Sequence, residues 1–463
     1  MIDLSTFKGI SLALFGLGRS GLSSARALQA SGAKVFAWDD KEASRQQAAA
    51  AGIELVDLNT CDWSRFSALI LSPGIPLDFP EPHKVVRLAR GAGVEIFGDM
   101  ELLARSASPA ATIGITGTNG KSTTTALIGH ILTGASENPV QVGGNLGVPV
   151  LDLAPLGADG CYVLEMSSYQ LDLTQSLVFD VAVLLNLSED HLERHGGMAG
   201  YIAAKKHIFD GQDSSGSAII GIDDAHCRAV YEELKGQRRL IAISGQSAIP
   251  GGVYVEDGVL YDDTSEGPAQ AVISMESLPR LPGAHNAQNA AAAYAVARVM
   301  GLERQVILSA LWSFPGLAHR QELLAVIDGV AYVNDSKATN GEAAARALAC
   351  YGDIFWIAGG RAKHGGIEAT RPYLNRVRHA YLIGEAANDF ARTLEFQVPV
   401  TVSGELSSAL GQARQGAINE TGSVVLLSPA CASFDQFDNF EARGDAFRDL
   451  VDALPGERRE VGT

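Results

Sequence analysis

The chain has 463 residues, 46% of them apolar and 19% charged, the composition of a globular α/β protein with room for roughly three domains. Its formal net charge of −17 argues against a nucleic-acid or anionic-membrane binder, which needs a basic face. Cys61, Cys161, Cys227, Cys350 and Cys431 form no CxxC pair and read as free thiols of a reducing compartment. No apolar run reaches the ~18 residues of a membrane span, and no cationic and apolar leader opens the chain, so a soluble cytoplasmic protein is expected.

In chain order, ISLALF (residues 10–15) predicts a strand, GLGRSG a tight turn, SSARALQASG a helix and KVFAWDD a second strand. A further unit ends in ALILSPGIP, a strand stopped by Pro and Gly. This first block closes near residue 99. The second block, 100–315, opens with ATIGITGTNGKST and contains the apolar runs GCYVLEMSS and VAVLLNLSEDH. Alternation in GVYVEDGVLYDD predicts an antiparallel hairpin, and NAAAAYAVARVMG a helix. SFPG, at 313–316, reads as a hinge. The third block, 316–463, repeats the βα style in VAYVNDSKATN, DIFWIAGG, RHAYLIGE and SVVLLSPACAS. Alternating strands and helices predict an α/β fold of three domains, with parallel sheets that bind ligands at their strand C-termini.

Gly16, Gly18 and Gly21 form G-x-G-x-x-G between a strand and a helix, and Asp39 ends the next strand. That is close to a dinucleotide fingerprint. Three readings stay open: NAD binding, capture of some other pyrophosphate by backbone N–H groups at a helix N-terminus, or a tight βα turn that binds nothing.

The second Gly-rich turn is more specific. In TGTNGKST, Gly117, Thr118, Asn119 and Gly120 lead into Lys121, Ser122 and Thr123 at a helix start. Backbone N–H groups and Lys121 suit triphosphate oxygens, and Ser122 or Thr123 suits Mg²⁺. The strict pattern G-x-x-x-x-G-K-[ST] is not met, because Ile115 holds its first Gly position. Around this loop, Glu165 ends GCYVLE and is either an Mg²⁺ ligand or a solvated strand-end carboxylate. His191 follows VAVLLNLSED. Lys205 and Lys206 in YIAAKKH read, on residue type alone, as a solvated helix face. Arg320 follows the hinge, where a cation can reach phosphate on closure or simply face solvent. Asp335, Lys337 and Thr339 end a strand, and Lys363 sits in GGRAKHGG. Ser433, Asp435, Phe437 and Phe440 follow the last strand and suggest a ligand wall.

Taken together, TGTNGKSTTT, GGNLGVP, LEMSSYQL, EDHLERHG, YIAAKKHIF, PGAHNAQNAAAA, GLAHRQE, NDSKATN and LSPACASFDQFDNFEARG resemble the Mur ligases from about residue 9 to about residue 448. GLGRSG and SPACASFDQFDNFEARG resemble the members that add D-glutamate, and the DNPR motif of the diaminopimelate-adding relatives is absent. The resemblance implies a monomer with an N-terminal Rossmann-like UDP-binding domain, a central phosphate-loop ATPase-like domain and a C-terminal Rossmann-like domain. It implies ATP-dependent ligation of D-glutamate to UDP-N-acetylmuramoyl-L-alanine in peptidoglycan synthesis, through an acyl phosphate.

By the same resemblance, Lys121 and Gly117 to Thr123 hold ATP, Asn286 and Asn289 meet its adenine, Arg320 and Lys337 reach phosphate, and Asp335 the ribose. Ser122 and Glu165 bind one Mg²⁺; His191 and a carbamylated Lys205 bind a second. Tyr201 to Lys205 match the Y-x-A-A-K in which relatives carry the modified lysine. Gly18, Arg19, Ser20, Asp39, Ser72 and Gly74, with Asn145 and His191 from the second block, line the UDP-substrate site. Thr339, Lys363, Ser433 and Phe440 form the D-glutamate pocket. Asp40 and Lys41 stand where the relatives vary, and Arg361 in GGRAKHGG departs from the pattern. The rival expectations are a folylpolyglutamate synthase or another Mur ligase, an NAD-dependent oxidoreductase fused to an ATPase, and a nucleotide-switched binding module.

Overall fold

The computed structural model describes residues 1–459 apart from 107, 136, 146, 279, 364, 419 and 421. Three main sheets carry the fold. The first has four parallel strands in the order Lys34–Trp38, Ser11–Phe15, Ala68–Leu71, Glu95–Phe97. Its strands are continuous apolar runs because both faces are covered. Leu12, Leu14, Ala68 and Ile70 enter one core, while Ala13, Phe15, Leu69 and Leu71 enter another on the opposite face.

The second sheet has nine strands, in the order Gln270–Ser274, Val259–Asp262, Val253–Glu256, Arg239–Ser244, Ser217–Gly221, Val181–Leu184, Ala111–Thr116, Cys161–Glu165, Val140–Gly144. All neighbours are parallel except the first two pairings, at one edge. There Val253–Glu256 and Val259–Asp262 form the hairpin expected from their alternation, joined by Asp257 and Gly258, a favoured two-residue turn. Both sheets belong to one compact unit, residues 1–274 with 285–314.

The other compact unit is residues 275–284 with 315–463. The division after Phe314 falls inside SFPG. The inclusion of 275–284 has no signal in the sequence, because the helix His285–Val299 that follows belongs to the first unit. The sheet of this unit runs Val400–Gly404, Val377–Ile383, Ile354–Gly359, Val424–Leu427, Val330–Asn334, Glu322–Ile327, Arg458–Arg459, with antiparallel pairing only at the last two. Strand alternation again splits the side chains: Ile354, Trp356 and Ala358 fill one core, Phe355 and Ile357 the other.

Register decides which loops meet. Phe15 pairs with both Trp38 and Leu71, so the turns that follow all three strands leave the first sheet at one edge. In the second sheet Ile115 pairs with Glu165, Thr116 with Leu184 and Gly144 with Glu165. The phosphate loop, Glu165, Asn145 and the segment leading to His191 therefore leave that sheet together, at the strand C-termini where α/β sheets bind ligands.

Candidate active site

The N-terminal turn is built by close packing. A Cβ on Gly21 would lie 1.8 Å from the Gly16 carbonyl oxygen, so only glycine lets the helix Arg19–Ala30 approach its turn. Ser72 Oγ donates to that same carbonyl at 2.7 Å. Asp39 accepts from Leu17 N at 2.6 Å and from Lys41 N at 2.8 Å. Asp39 and Ser72 thus shape the turn, while Gly18 caps the helix and Gly18, Arg19 and Gly74 stay exposed.

The phosphate loop joins the strand Ala111–Thr116 to the helix Lys121–Ala135. Asn186 braces it: its carbonyl accepts from Thr118 N at 2.8 Å and its Oδ1 from Asn119 N at 2.9 Å. Asn186 Nδ2 reaches Gln288 Oε1 at 2.8 Å, and Gln288 in turn donates to Asp223 at 2.8 Å. Asn289 lies under the loop. Its Oδ1 accepts from Thr124 Oγ1 at 3.1 Å, its Nδ2 donates to Asn286 at 2.9 Å, and a Cβ on Gly120 would come within 2.2 Å of it. Ser122 is half-buried at the helix start, whereas Thr123 is buried.

Two lysines converge on one carbonyl. Lys121 Nζ donates to Gly117 O at 2.9 Å and Thr118 O at 2.8 Å, and Lys205 Nζ donates to Gly117 O at 2.8 Å and Thr116 Oγ1 at 3.2 Å. Lys205 is only 1% exposed, which corrects the solvated-face reading of its residue type; Lys206, by contrast, points out to Glu233 at 2.6 Å. Burial, and then the neighbouring Lys121 charge, push the Lys205 amine well below its ordinary pKa. Glu165 is 2% exposed and so is not the solvated strand-end carboxylate. Its Oε1 accepts from Asn145 Nδ2 at 2.7 Å. Its Oε2 is buried with no hydrogen-bond partner among the described residues.

These pieces surround a cavity of about 400 Å³ lined by Arg19, Gly74, Lys121, Asn145, His191 and Lys205, among others. It joins residues expected at the UDP substrate, at the triphosphate and at the metal ions in one space. Tyr169 and Tyr201 also line it. Residue-by-residue reading gave neither a role. Tyr201 OH lies 3.1 Å from Thr118 Oγ1, and the Tyr169 ring lies 5.0 Å from that of His191. The Y-x-A-A-K motif held the signal for Tyr201. Asn186 had none, since its partners lie 67 or more positions away.

In the other unit, Asp335 is buried and its carboxyl is pushed up to about 7 by burial, against hydrogen bonds from Ser428 and Gln321. Ser428 Oγ donates to it at 2.8 Å and Gln321 N at 3.1 Å. Lys337 is exposed, with Nζ 3.9 Å from the centre of the Phe440 ring. Thr339 follows in the same turn, and Lys363 is exposed. Ser433 Oγ is buried with no partner among the described residues. Arg443, which the sequence left unremarked, holds these segments together: it donates to Ser336 Oγ at 2.9 Å, Ser336 O at 2.8 Å and Cys431 O at 3.1 Å. Burial lowers its guanidinium to about 10.

Among the described residues, no group of three or more His, Cys, Asp and Glu is gathered to hold a metal. The donor set at the phosphate loop is of another kind, a hydroxyl, a buried carboxylate with one oxygen unsatisfied, a histidine and a lysine. It fits a hard, oxygen-seeking cation such as Mg²⁺ at Glu165 Oε2.

The chain is similar to known proteins along nearly its whole length. The Mur ligase middle domain family matches residues 115–297. The chain is 50% identical to the UDP-N-acetylmuramoylalanine--D-glutamate ligase of Rhodospirillum rubrum, over 99% of each chain, and 52% identical to that of Caulobacter vibrioides, over 98% of each. Its fold is similar to that of the MurF ligase of Thermotoga maritima solved in complex with ADP, with a TM-score of 0.56 at 16% identity, covering 98% of this chain and 97% of that one. With near-complete relatives at this level of identity, the chain belongs to the Mur ligases, in the UDP-N-acetylmuramoylalanine--D-glutamate ligase family.

Proposed function

We propose that the protein is the ATP-dependent, ADP-forming ligase that joins D-glutamate to UDP-N-acetylmuramoyl-L-alanine, a cytoplasmic step of peptidoglycan precursor synthesis, and that it works as a monomer. The observation that carries this is the single cavity in which Arg19 and Gly74 of the N-terminal turns face Lys121, His191 and Lys205 of the phosphate-loop sheet. A nucleotide sugar and a triphosphate can meet there. Residues 1–99 would bind the UDP substrate, 100–315 ATP, and 316–463 the amino acid.

The chemistry explains the residue types. A carboxylate oxygen of the L-alanyl group attacks the γ-phosphorus, the bond to ADP breaks, and an acyl phosphate forms. The D-glutamate amine then attacks the acyl carbon, the tetrahedral adduct collapses, an amide forms and phosphate leaves with the former carboxylate oxygen. Both partners of the first step are anions, so cations must lie between them. Lys121 supplies one fixed charge. Mg²⁺, held by Ser122 and Glu165 and, at a second position, by His191 and Lys205, supplies the remaining neutralisation when bound.

Lys205 is suited to carbamylation. Its desolvated amine favours the neutral form, whose lone pair can take up CO₂ with loss of a proton. That places an anionic oxygen donor beside the Lys121 cation, where a second ammonium would be repelled. Asn286 and Asn289 would meet the adenine, Asn289 also setting the loop's shape. Arg320 and Lys337 would reach phosphate and Asp335 the ribose. Gly18, Arg19, Ser20, Asp39, Ser72, Gly74, Asn145 and His191 would hold the nucleotide sugar. Thr339, Lys363, Ser433 and Phe440 would hold D-glutamate.

Ser433 offers a limited test of the last assignment. Its buried hydroxyl has no partner among the described residues, and such a group in a binding wall is kept for a ligand. Ser433→Ala is expected to raise KM for D-glutamate about tenfold, the worth of one hydrogen bond to a charged group, with KM for ATP little changed. An equal rise in both would remove Ser433 from the pocket. The function itself is tested by incubating the protein with Mg²⁺, ATP and UDP-N-acetylmuramoyl-L-alanine. D-glutamate should yield ADP, phosphate and a nucleotide sugar longer by one glutamyl residue; L-glutamate, L-lysine and meso-diaminopimelate should not.

A further inference from the structure

Arg194 stands in the turn that begins with His191, yet both terminal nitrogens of its guanidinium are engaged by the loop that follows the strand Ala68–Leu71. Nη2 donates to Pro73 O at 3.1 Å and Ile75 O at 3.0 Å, and Nη1 to Phe79 O at 3.3 Å. Its plane lies 4.7 Å from the centre of the Tyr169 ring, and that ring stands 5.0 Å from His191. The seam is closed next door by Gly196, where an added Cβ would come within 2.6 Å of the Phe79 ring. Three carbonyls of one short segment converging on one cation make a loop organised by that cation.

The consequence follows from peptide geometry. Pro73 C=O and Gly74 N–H belong to the same planar trans unit and point in opposite directions. Fixing the Pro73 oxygen on Arg194 therefore aims the Gly74 N–H the other way. Gly74 and Arg19 both line the cavity. A backbone N–H on that wall, beside a guanidinium and the N-terminus of the 12-residue helix Arg19–Ala30, suits an anionic oxygen. A lysine could not replace the fork, because its single point charge cannot serve three separated carbonyls and stack on a ring at once.

We propose that Arg194 is a positioning residue for the nucleotide-sugar substrate: by holding the carbonyls of Pro73, Ile75 and Phe79 it presents the Gly74 N–H to the substrate's diphosphate, and it ties that contact to the His191 turn. This rests on the function proposed above. The test compares wild type, Arg194→Lys and Arg194→Met by calorimetric binding of UDP-N-acetylmuramoyl-L-alanine and, separately, of a non-hydrolysable ATP analogue, with steady-state kinetics. Both variants are expected to bind the nucleotide sugar about tenfold more weakly, the scale of one charge-assisted hydrogen bond, and to raise its KM by the same factor. Affinity for the ATP analogue and kcat at saturating nucleotide sugar should change less than twofold.

Phe79→Leu alters the same seam at a half-exposed ring, so it serves if the Arg194 variants fold poorly; a smaller loss confined to the nucleotide sugar is expected. Unchanged nucleotide-sugar binding in the variants, or an equal loss for both ligands, would overturn the proposal while leaving the function intact. A wild-type protein that binds the ATP analogue but no nucleotide sugar would overturn the function and this role with it.

Discussion

Lys205→Ala is expected to lower the rate of ligation at least about 10³-fold, the scale on which pre-placed charge at a reacting centre acts. The buried amine has no structural excuse. It is almost wholly desolvated, shares the Gly117 carbonyl with Lys121, and has no carboxylate within hydrogen-bond distance among the described residues. A buried cation beside a like charge is costly to fold. Such a lysine persists where its neutral form does something. A carbamate would turn the cost into a gain, because an anion at that position attracts Lys121 and would offer an oxygen donor to a cation shared with His191. Alanine removes the anchor for those oxygens but keeps the helix Met198–Lys206 intact, so ATP affinity should fall only a few-fold. Added bicarbonate or chloride should return part of the lost rate to Lys205→Ala and none to wild type. Full activity in the alanine variant would end the carbamate role.

The second large effect is at Glu165. One of its oxygens is satisfied by Asn145 and the other is buried without a partner among the described residues. An unsatisfied buried carboxylate oxygen costs about 1–3 kcal/mol or more, so this one suits the proposed cation-binding role better than a stabilising one. Glu165→Gln keeps the shape and removes the charge. We expect kcat to fall about 10²- to 10³-fold, and thermal unfolding without Mg²⁺ to move upward or stay level. Added Mg²⁺ should raise the Tm of wild type in the presence of ATP and leave that of the variant nearly unmoved. A Glu165→Gln protein that melts lower without Mg²⁺ and retains most of its rate would show a structural carboxylate instead.

What could be read in the sequence was whatever is local. Strands are short apolar runs and the turns after them are Gly-rich, so the α/β class, the hairpin at Val253–Asp262 and both phosphate-type turns were legible. The identity of their ligand was not legible from those turns alone, since a G-x-G-x-x-G turn serves any pyrophosphate. The ligands proposed for them rest on the combination of motifs spread along the chain. What stayed hidden depends on distant partners. The burial of Lys205 is set by contacts with Thr116 and Gly117, 88 or more positions earlier. Asn186 bracing Asn119, and Arg194 reaching Pro73, Ile75 and Phe79 across 115 or more positions, follow only once the sheets have placed their loops at a common edge. The joining of 275–284 to the C-terminal unit is hidden for the same reason.

The central claim is that ATP activates a carboxylate. The most direct measurement uses UDP-N-acetylmuramoyl-L-alanine carrying heavy oxygen in its terminal carboxylate, turned over with ATP, Mg²⁺ and D-glutamate, with the released phosphate analysed by mass. Collapse of an acyl phosphate carries one carboxylate oxygen into the phosphate, so one heavy oxygen per phosphate is predicted. Phosphate released without label would mean that water, not the carboxylate, takes the phosphoryl group, and would contradict the account.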